Sequence, residues 1–202
     1  VLTTVFLPVS SRIRVQLYER FAKHMSSFPN VKLWTIECAL NDQPFKVTNP
    51  LNPSHVQVSC QSRLWIKENL MNILLLKLPK DAKYIAWIDA DIHFFNPRWA
   101  SEAIAKLKQL DLIQLFEEAD FIGKDWRVQY RTKSLMYYAC VNPNNLKELS
   151  KRQETYPHPG YAWAATRDYL SQLGGFYQAN IIGSGDKFMA YTALGKTQDG
   201  IQ

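Results

Sequence analysis

Cysteine is scarce in this chain, and glycine is thinly spread. The three cysteines, Cys38, Cys60 and Cys140, are too few and too widely spaced for a disulfide framework or a zinc site. Cys38 and Cys140 fall in apolar runs that read as strands, which predicts buried thiols. An odd count fits a reducing compartment, so the cytoplasm is the expected location, with the inner face of a membrane as the alternative. No apolar run is long enough to span a bilayer, since the helical patch over 70–78 is broken by Asn72 and Lys77. No glycine-rich loop follows the first strand, where Leu7-Pro8-Val9-Ser10-Ser11 stands instead. Charge does not cluster either. The net charge is +6, but the Lys and Arg residues are scattered, with no basic run and no stacking motif. Nucleic acid is therefore not expected as a partner; a mildly basic surface suits anionic nucleotides or a peripheral contact with an anionic membrane. The chain begins at Val1 and stops at Gln202, and the expectation is a piece of a longer protein, truncated at its C-terminus.

With 202 residues, 47% of them hydrophobic, there is enough apolar surface for one sizeable core. Residues 1–7 read as a strand. Ile13, Leu17, Phe21 and Met25 recur at helical spacing among charged neighbours, which predicts an amphipathic helix ending at Pro29-Asn30. Strands are predicted over 31–40, 84–88, 111–116, 135–141 and 160–165. Helices are predicted over 63–77, 100–110, 143–152, 167–173 and 186–194. The Asn- and Pro-rich segment 41–53 reads as a loop, and so does 117–134, which carries Trp126, Arg127 and Tyr130. The early alternation of strand and helix predicts an α/β fold with a mostly parallel central sheet flanked by helices.

The most informative stretch is YIAWIDADIHFFNP, residues 84–97. An apolar strand covered on both faces delivers Asp89 and Asp91 at its end. Residues i and i+2 of a strand point the same way, so continued extension would aim both carboxylates into one pocket. Paired carboxylates repel, and a divalent cation with a taste for hard oxygen relieves them, which points to Mn2+ or Mg2+. Strand ends of open α/β sheets are also where ligands bind. The plainer reading is that these aspartates cap a turn. His93 would share the side of Asp91 if the strand ran on, although lone histidines are more often no ligand.

A second constellation lies in HPGYAWAATRDYLSQLGGFYQANIIGSGDKF, residues 158–188. Ala162, Ala164 and Ala165 alternate with Tyr161 and Trp163, giving a small face that could approach a ligand. Gly174-Gly175-Phe176 makes a tight turn, and Gly183-Ser184-Gly185 delivers Asp186 at a helix start. Asp186 is either the N-cap of that helix or a general base at the mouth of a site.

Together these motifs resemble nucleotide-sugar glycosyltransferases of the GT-A fold, family 2-like, with features of the β-1,4-galactosyltransferase branch. The Asp-x-Asp after an apolar strand matches Asp89-Ala90-Asp91. The glycine-aromatic strand, Gly-Gly-Phe turn and acidic helix start match 160–165, Gly174-Gly175-Phe176 and Gly185-Asp186. Lys67 and Asn72 match a basic residue and an Asn on the helix before the Asp-x-Asp strand, with Lys in place of Arg. The chain departs from that branch in lacking the glutamate before the base and the acidic cluster after it, because Lys187 and Phe188 follow Asp186. It also has no histidine after His158 to complete a metal shell; the further ligand lies in sequence beyond this chain, or diphosphate and water complete the shell, or His158 substitutes, although His-Pro-Gly before a strand is more often structural.

The resemblance implies a single catalytic domain over 1–202, with a nucleotide-sugar half to about residue 95 and an acceptor half from 96. It implies a nucleotide-diphosphate sugar as donor and a glycan, lipid or protein acceptor. Asp89 and Asp91 are the expected metal ligands. Leu7, Pro8, Arg12, Lys67, Asp89 and Ala90 are the expected donor contacts, with Arg63 or Arg127 as further positive charge. Asp186 is the expected catalytic base of an inverting enzyme; in a retaining one it would bind the acceptor. Trp163, Tyr161 and Trp126 are the aromatic rings expected against the acceptor sugar. The competing readings are a non-catalytic nucleotide- or glycan-binding module of the same fold and a sugar nucleotidyltransferase.

Overall fold

The computed structural model describes residues 1–7, 12–62, 64–142, 157–179 and 183–195. Pro8, Arg63 and the predicted helix over 143–152 lie outside them. Strands β1 (Leu2–Leu7), β2 (Trp34–Leu40), β3 (His55–Cys60), β4 (Tyr84–Ile88), β5 (Leu112–Gln114) and β8 (Ala162–Thr166) form one sheet in the order β3-β2-β1-β4-β8-β5. β1, β2, β3 and β4 run parallel, and β8 is inserted antiparallel between β4 and β5. The α/β architecture with a mostly parallel sheet is as the sequence predicts. A separate hairpin, β6 (Glu118–Ile122) and β7 (Val128–Lys133), stands apart from the sheet.

Helices α1 (Arg12–Ser26) and α3 (Trp99–Leu107) cover one face of the sheet. Helices α2 (Lys67–Lys77), α4 (Leu135–Val141), α5 (Arg167–Gln172) and α6 (Gly185–Ala193) cover the other. β4 alternates between these layers: Ile85 and Trp87 join Leu70, Met71 and Leu74 of α2, while Ala86 and Ile88 meet Phe21 and Met25 of α1 and Trp99 of α3. That double burial is why its sequence is a continuous apolar run rather than an alternating one. Ala162 and Ala164 also belong to the α1/α3 layer. The Ala162 and Ala164 face of β8 thus serves close helix packing.

Several local expectations are corrected. Residues 135–141 form helix α4 and not a strand, because the Ser134 side chain caps the turn by accepting from the Tyr137 N–H. With the chain so capped, Cys140 is exposed, while Cys38 is buried as predicted. Segment 117–134 is the β6–β7 hairpin and not a loop. Its cross-strand pairs are Asp120 with Arg131 (2.6 Å), Glu118 with Lys133 (2.7 Å) and a stacked Phe121–Tyr130 pair. Segment 55–60, left without an element by sequence, is the edge strand β3. Helix α2 begins four residues later than predicted, at Lys67, which leaves Leu64 half exposed while Leu70, Met71 and Leu74 are buried.

Candidate active site

The site grows from the end of β4. Thr3 of β1 is buried, and its hydroxyl donates to the Ile88 carbonyl at 2.7 Å. The next N–H, that of Asp89, donates to the Tyr161 carbonyl at 2.8 Å. The chain then turns, with Ile92 N–H donating to the Asp89 carbonyl at 3.2 Å, so extension stops before Asp91. Both carboxylates nevertheless face one cavity, because the turn, and not a continued strand, brings them there. Further along, the His24 ring accepts the Phe94 N–H at 3.0 Å and stacks on His93 at 3.7 Å. His93 is thus part of the anchor that ties this loop to α1.

Across the cavity, Lys67 at the first turn of α2 extends its ammonium to two carboxylates. Its Nζ lies 2.8 Å from Asp89 Oδ1 and 3.2 Å from Asp186 Oδ2. Residues 67, 89 and 186 are far apart in sequence and meet at one nitrogen. Burial opposes the charge on Lys67, but Asp89 and Asp186 outweigh it and hold the ammonium above the ordinary lysine pKa. One cation serves two acids. Burial therefore still pushes the Asp186 carboxyl up, against the pull of Lys67. Asp91 is raised too, first by burial and then by repulsion from Asp89, with Arg14 and Lys67 opposing.

Asp186 is not the cap of α6. That position belongs to Ser184, at φ 74°, which makes no side-chain capping bond. The approach of α6 is made possible by two glycines. A Cβ at Gly185 would run into the carboxyl of Glu68, which is buried beside it. A Cβ at Gly160 would sit 3.0 Å from Asp186 Oδ2 and 3.1 Å from His158 Cε1. His158 accepts the Gly160 N–H on Nδ1 at 3.0 Å and stacks on Tyr161 at 3.6 Å. Burial lowers its pKa, with Asp89 opposing. Tyr161 itself adopts φ 73°, in the left-handed region, at the joint between this loop and β8. Burial and the nearby Tyr130 push its hydroxyl up to about 12.

Asn72 holds the other glycine turn. Its amide donates to the Phe176 carbonyl at 2.8 Å and accepts the Phe176 N–H at 2.7 Å, as a strand partner would. Gly175, at φ 96°, has no room for a side chain because its Cβ would lie 2.5 Å from Asn72 Oδ1.

The cavity, about 600 Å3, lies among Thr4, Phe6, Arg14, Trp65, Lys67, Asp89, Ala90, Asp91 and Asp186. Of the expected donor contacts, Lys67, Asp89 and Ala90 line it. Leu7 closes β1 nearby. Arg12 is exposed and does not line it. Arg14, two residues further along α1, does, and was missed, as was Trp65. The signal for Arg14 is its place between Ile13 and Leu17, which also line the cavity. Of the expected acceptor rings, Trp163 is wholly buried: it stacks parallel to Trp87 and donates its indole N–H to the Pro159 carbonyl at 2.7 Å. It is a core residue, so the reading of it as a sugar platform is wrong. Trp126 sits exposed at the hairpin turn, with the Arg20 guanidinium 4.3 Å above its ring. Neither it nor Arg127 lines the cavity.

The donor set can be tested for a divalent cation. Two carboxylates share the cavity, and their repulsion is felt at Asp91, which is the chemistry a hard cation relieves. Among the described residues no group of three or more His, Cys, Asp or Glu side chains is placed to hold a metal. Asp89 and Asp91 therefore fit as part of a shell that a substrate's oxygens would complete.

No family model matches the chain, and no curated protein matches it. Solved structures do. One is a Drosophila β-1,4-galactosyltransferase 7 mutant in complex with manganese, UDP-Gal and xylobiose, at 13% identity and a TM-score of 0.49, covering 96% of this chain and 62% of that one. Another is a 4-diphosphocytidyl-2C-methyl-D-erythritol synthase from Anaerococcus prevotii, at 11% identity and a TM-score of 0.45, covering 96% and 84%. A third is a putative nucleotide-diphospho-sugar transferase from Desulfovibrio desulfuricans, at 14% identity and a TM-score of 0.38, covering 83% and 62%. The chain spans less than two thirds of the galactosyltransferase's length. At these levels of similarity the chemistry must be argued from the residues.

Proposed function

We propose that the chain is a glycosyltransferase that moves a sugar from a nucleotide-diphosphate donor to a hydroxyl acceptor. The observation that carries this reading is the convergence of Asp89, Asp91, Asp186 and Lys67 on one cavity. The donor lies in that cavity. Trp65, half exposed at its edge, offers a ring to the base, and Lys67 and Arg14 bring positive charge to the diphosphate. Asp89 and Asp91 would hold Mn2+ or Mg2+, which supplies charge neutralisation for the departing diphosphate. Asp186, at the inner wall, accepts the proton of the acceptor hydroxyl. Burial raises its pKa, which makes it a stronger base than an ordinary aspartate, while Lys67, 3.2 Å from its Oδ2, opposes that rise and orients the carboxylate.

Calorimetry with UDP and GDP tests the donor half of this reading. Manganese is expected to tighten nucleotide binding, and Asp91→Ala to remove that gain while the protein stays folded. Nucleotide affinity that ignores both the metal and the substitution would remove Asp91 from any metal site.

A further inference from the structure

A second cavity, of 360 Å3, lies between α5, the Gly174-Gly175-Phe176 turn and α6. This is within the size range of small-molecule sites, roughly 300–1,000 Å3. Its walls are mainly apolar, with Leu170, Leu173, Phe176, Phe188 and Met189 facing Trp87. Glu68 and Asp186 also line it. Among the described residues, Asp186 is the one side chain that lines both this cavity and the carboxylate cavity. Trp87 adds an independent observation. It is 2% exposed, and its indole N–H has no acceptor among the described residues. A buried N–H without a partner is costly.

A transfer reaction needs two substrates that meet at one group. Resting on the glycosyltransferase reading, we infer that this second cavity is the acceptor site, and that it takes an amphipathic acceptor. The hydroxyl lies at Asp186, and an apolar aglycone lies against Leu170, Leu173 and Phe188. The step balances without a further reagent. The acceptor oxygen bonds to the anomeric carbon of the nucleotide sugar, and the bond from that carbon to the phosphate oxygen breaks. Its electron pair leaves with the nucleoside diphosphate, and the hydroxyl proton passes to Asp186.

The test compares octyl and methyl β-D-glucoside as ligands of the intact chain, by calorimetry, with UDP binding measured in parallel. A diazirine-bearing octyl glucoside is then photolysed on the protein and the adducts are mapped by mass spectrometry. The octyl compound is expected to bind about tenfold or more tighter than the methyl one, from apolar burial. The adducts should fall within 169–178 and 185–192. In Leu173→Trp, which fills the rim at a half-exposed position, the octyl advantage should vanish while UDP affinity stays. Equal affinity for the two glucosides, or adducts outside those segments, would overturn the inference even if nucleotide binds. Octyl labelling at the cavity in a protein that binds no nucleotide would overturn the acceptor role and the glycosyltransferase reading together.

Discussion

Asp186 carries two predictions of its own. Asp186→Asn keeps the shape and a hydrogen-bond acceptor for Lys67 but cannot take a proton, so transfer should slow ~100-fold or more. Nucleotide affinity should change little. A variant that binds donor and transfers at the parent rate would remove Asp186 from the chemistry. The base must be ionised to work, and burial raises its pKa. The kcat/KM profile should therefore fall on the acid side at a pH above the ordinary aspartate value of about 4. Lys67→Met should move that limb higher, since a stabilising cation is gone; a limb that stays put would mean that Lys67 does not set the base. The same variant should lose about 3 kcal/mol of stability, as when one partner of a buried pair is removed. Asp186, already raised by burial and no longer pulled down by Lys67, would have a pKa further above that of the unfolded chain. The folded variant then binds extra protons, so its stability is greatest below the unfolded carboxylate range and is lost as pH rises through the folded value. Urea unfolding at pH 4 and pH 7 should show a smaller deficit at pH 4, and an equal deficit would mean the ion pairs do not carry it. Asp89, Asp91, Lys67 and Asp186 were each legible as single residues, because polar groups stood at strand and helix ends. Their meeting at one ammonium was not, because residue spacing carries no information across 119 positions.

At the scale of elements, the site depends on how closely α6 and the glycine turn approach α2. Gly185→Ala should force the buried Glu68 aside and cost roughly 1–3 kcal/mol, the range for overpacking. In a double-mutant cycle, Glu68→Ala should recover much of that loss, because the clash needs both side chains. Additive losses would mean that the two positions do not press on each other. The glycines were readable as turns, but not as the room left for Glu68 and Asn72, which lie on another element. Helix α4 and the β6–β7 hairpin were misread for related reasons. LMYYACV looks like a strand until the Ser134 cap is seen, and the hairpin's alternating charges are paired across strands rather than along one. Helix α6 and strand β4 were read correctly because glycines or apolar runs mark their limits.

For the whole molecule, the order β3-β2-β1-β4-β8-β5 puts the end of β4 at the centre of the sheet, with α1, α2 and α6 converging on it. The parallel part of this arrangement was legible from alternating elements. The antiparallel insertion of β8 was not, since an alanine-rich strand buried on both faces reads alike in either direction. What the topology achieves is two cavities that share one carboxylate. The most direct measurement of the central claim is mass-spectrometric turnover of a nucleotide-sugar panel, with manganese and an alkyl glycoside acceptor, for the parent chain and for Asp186→Asn. The account predicts that one donor is consumed, that its sugar appears on the acceptor, and that the variant is slower by ~100-fold or more. A parent chain that binds the nucleotide yet turns over no donor, or a variant that matches the parent, would contradict it.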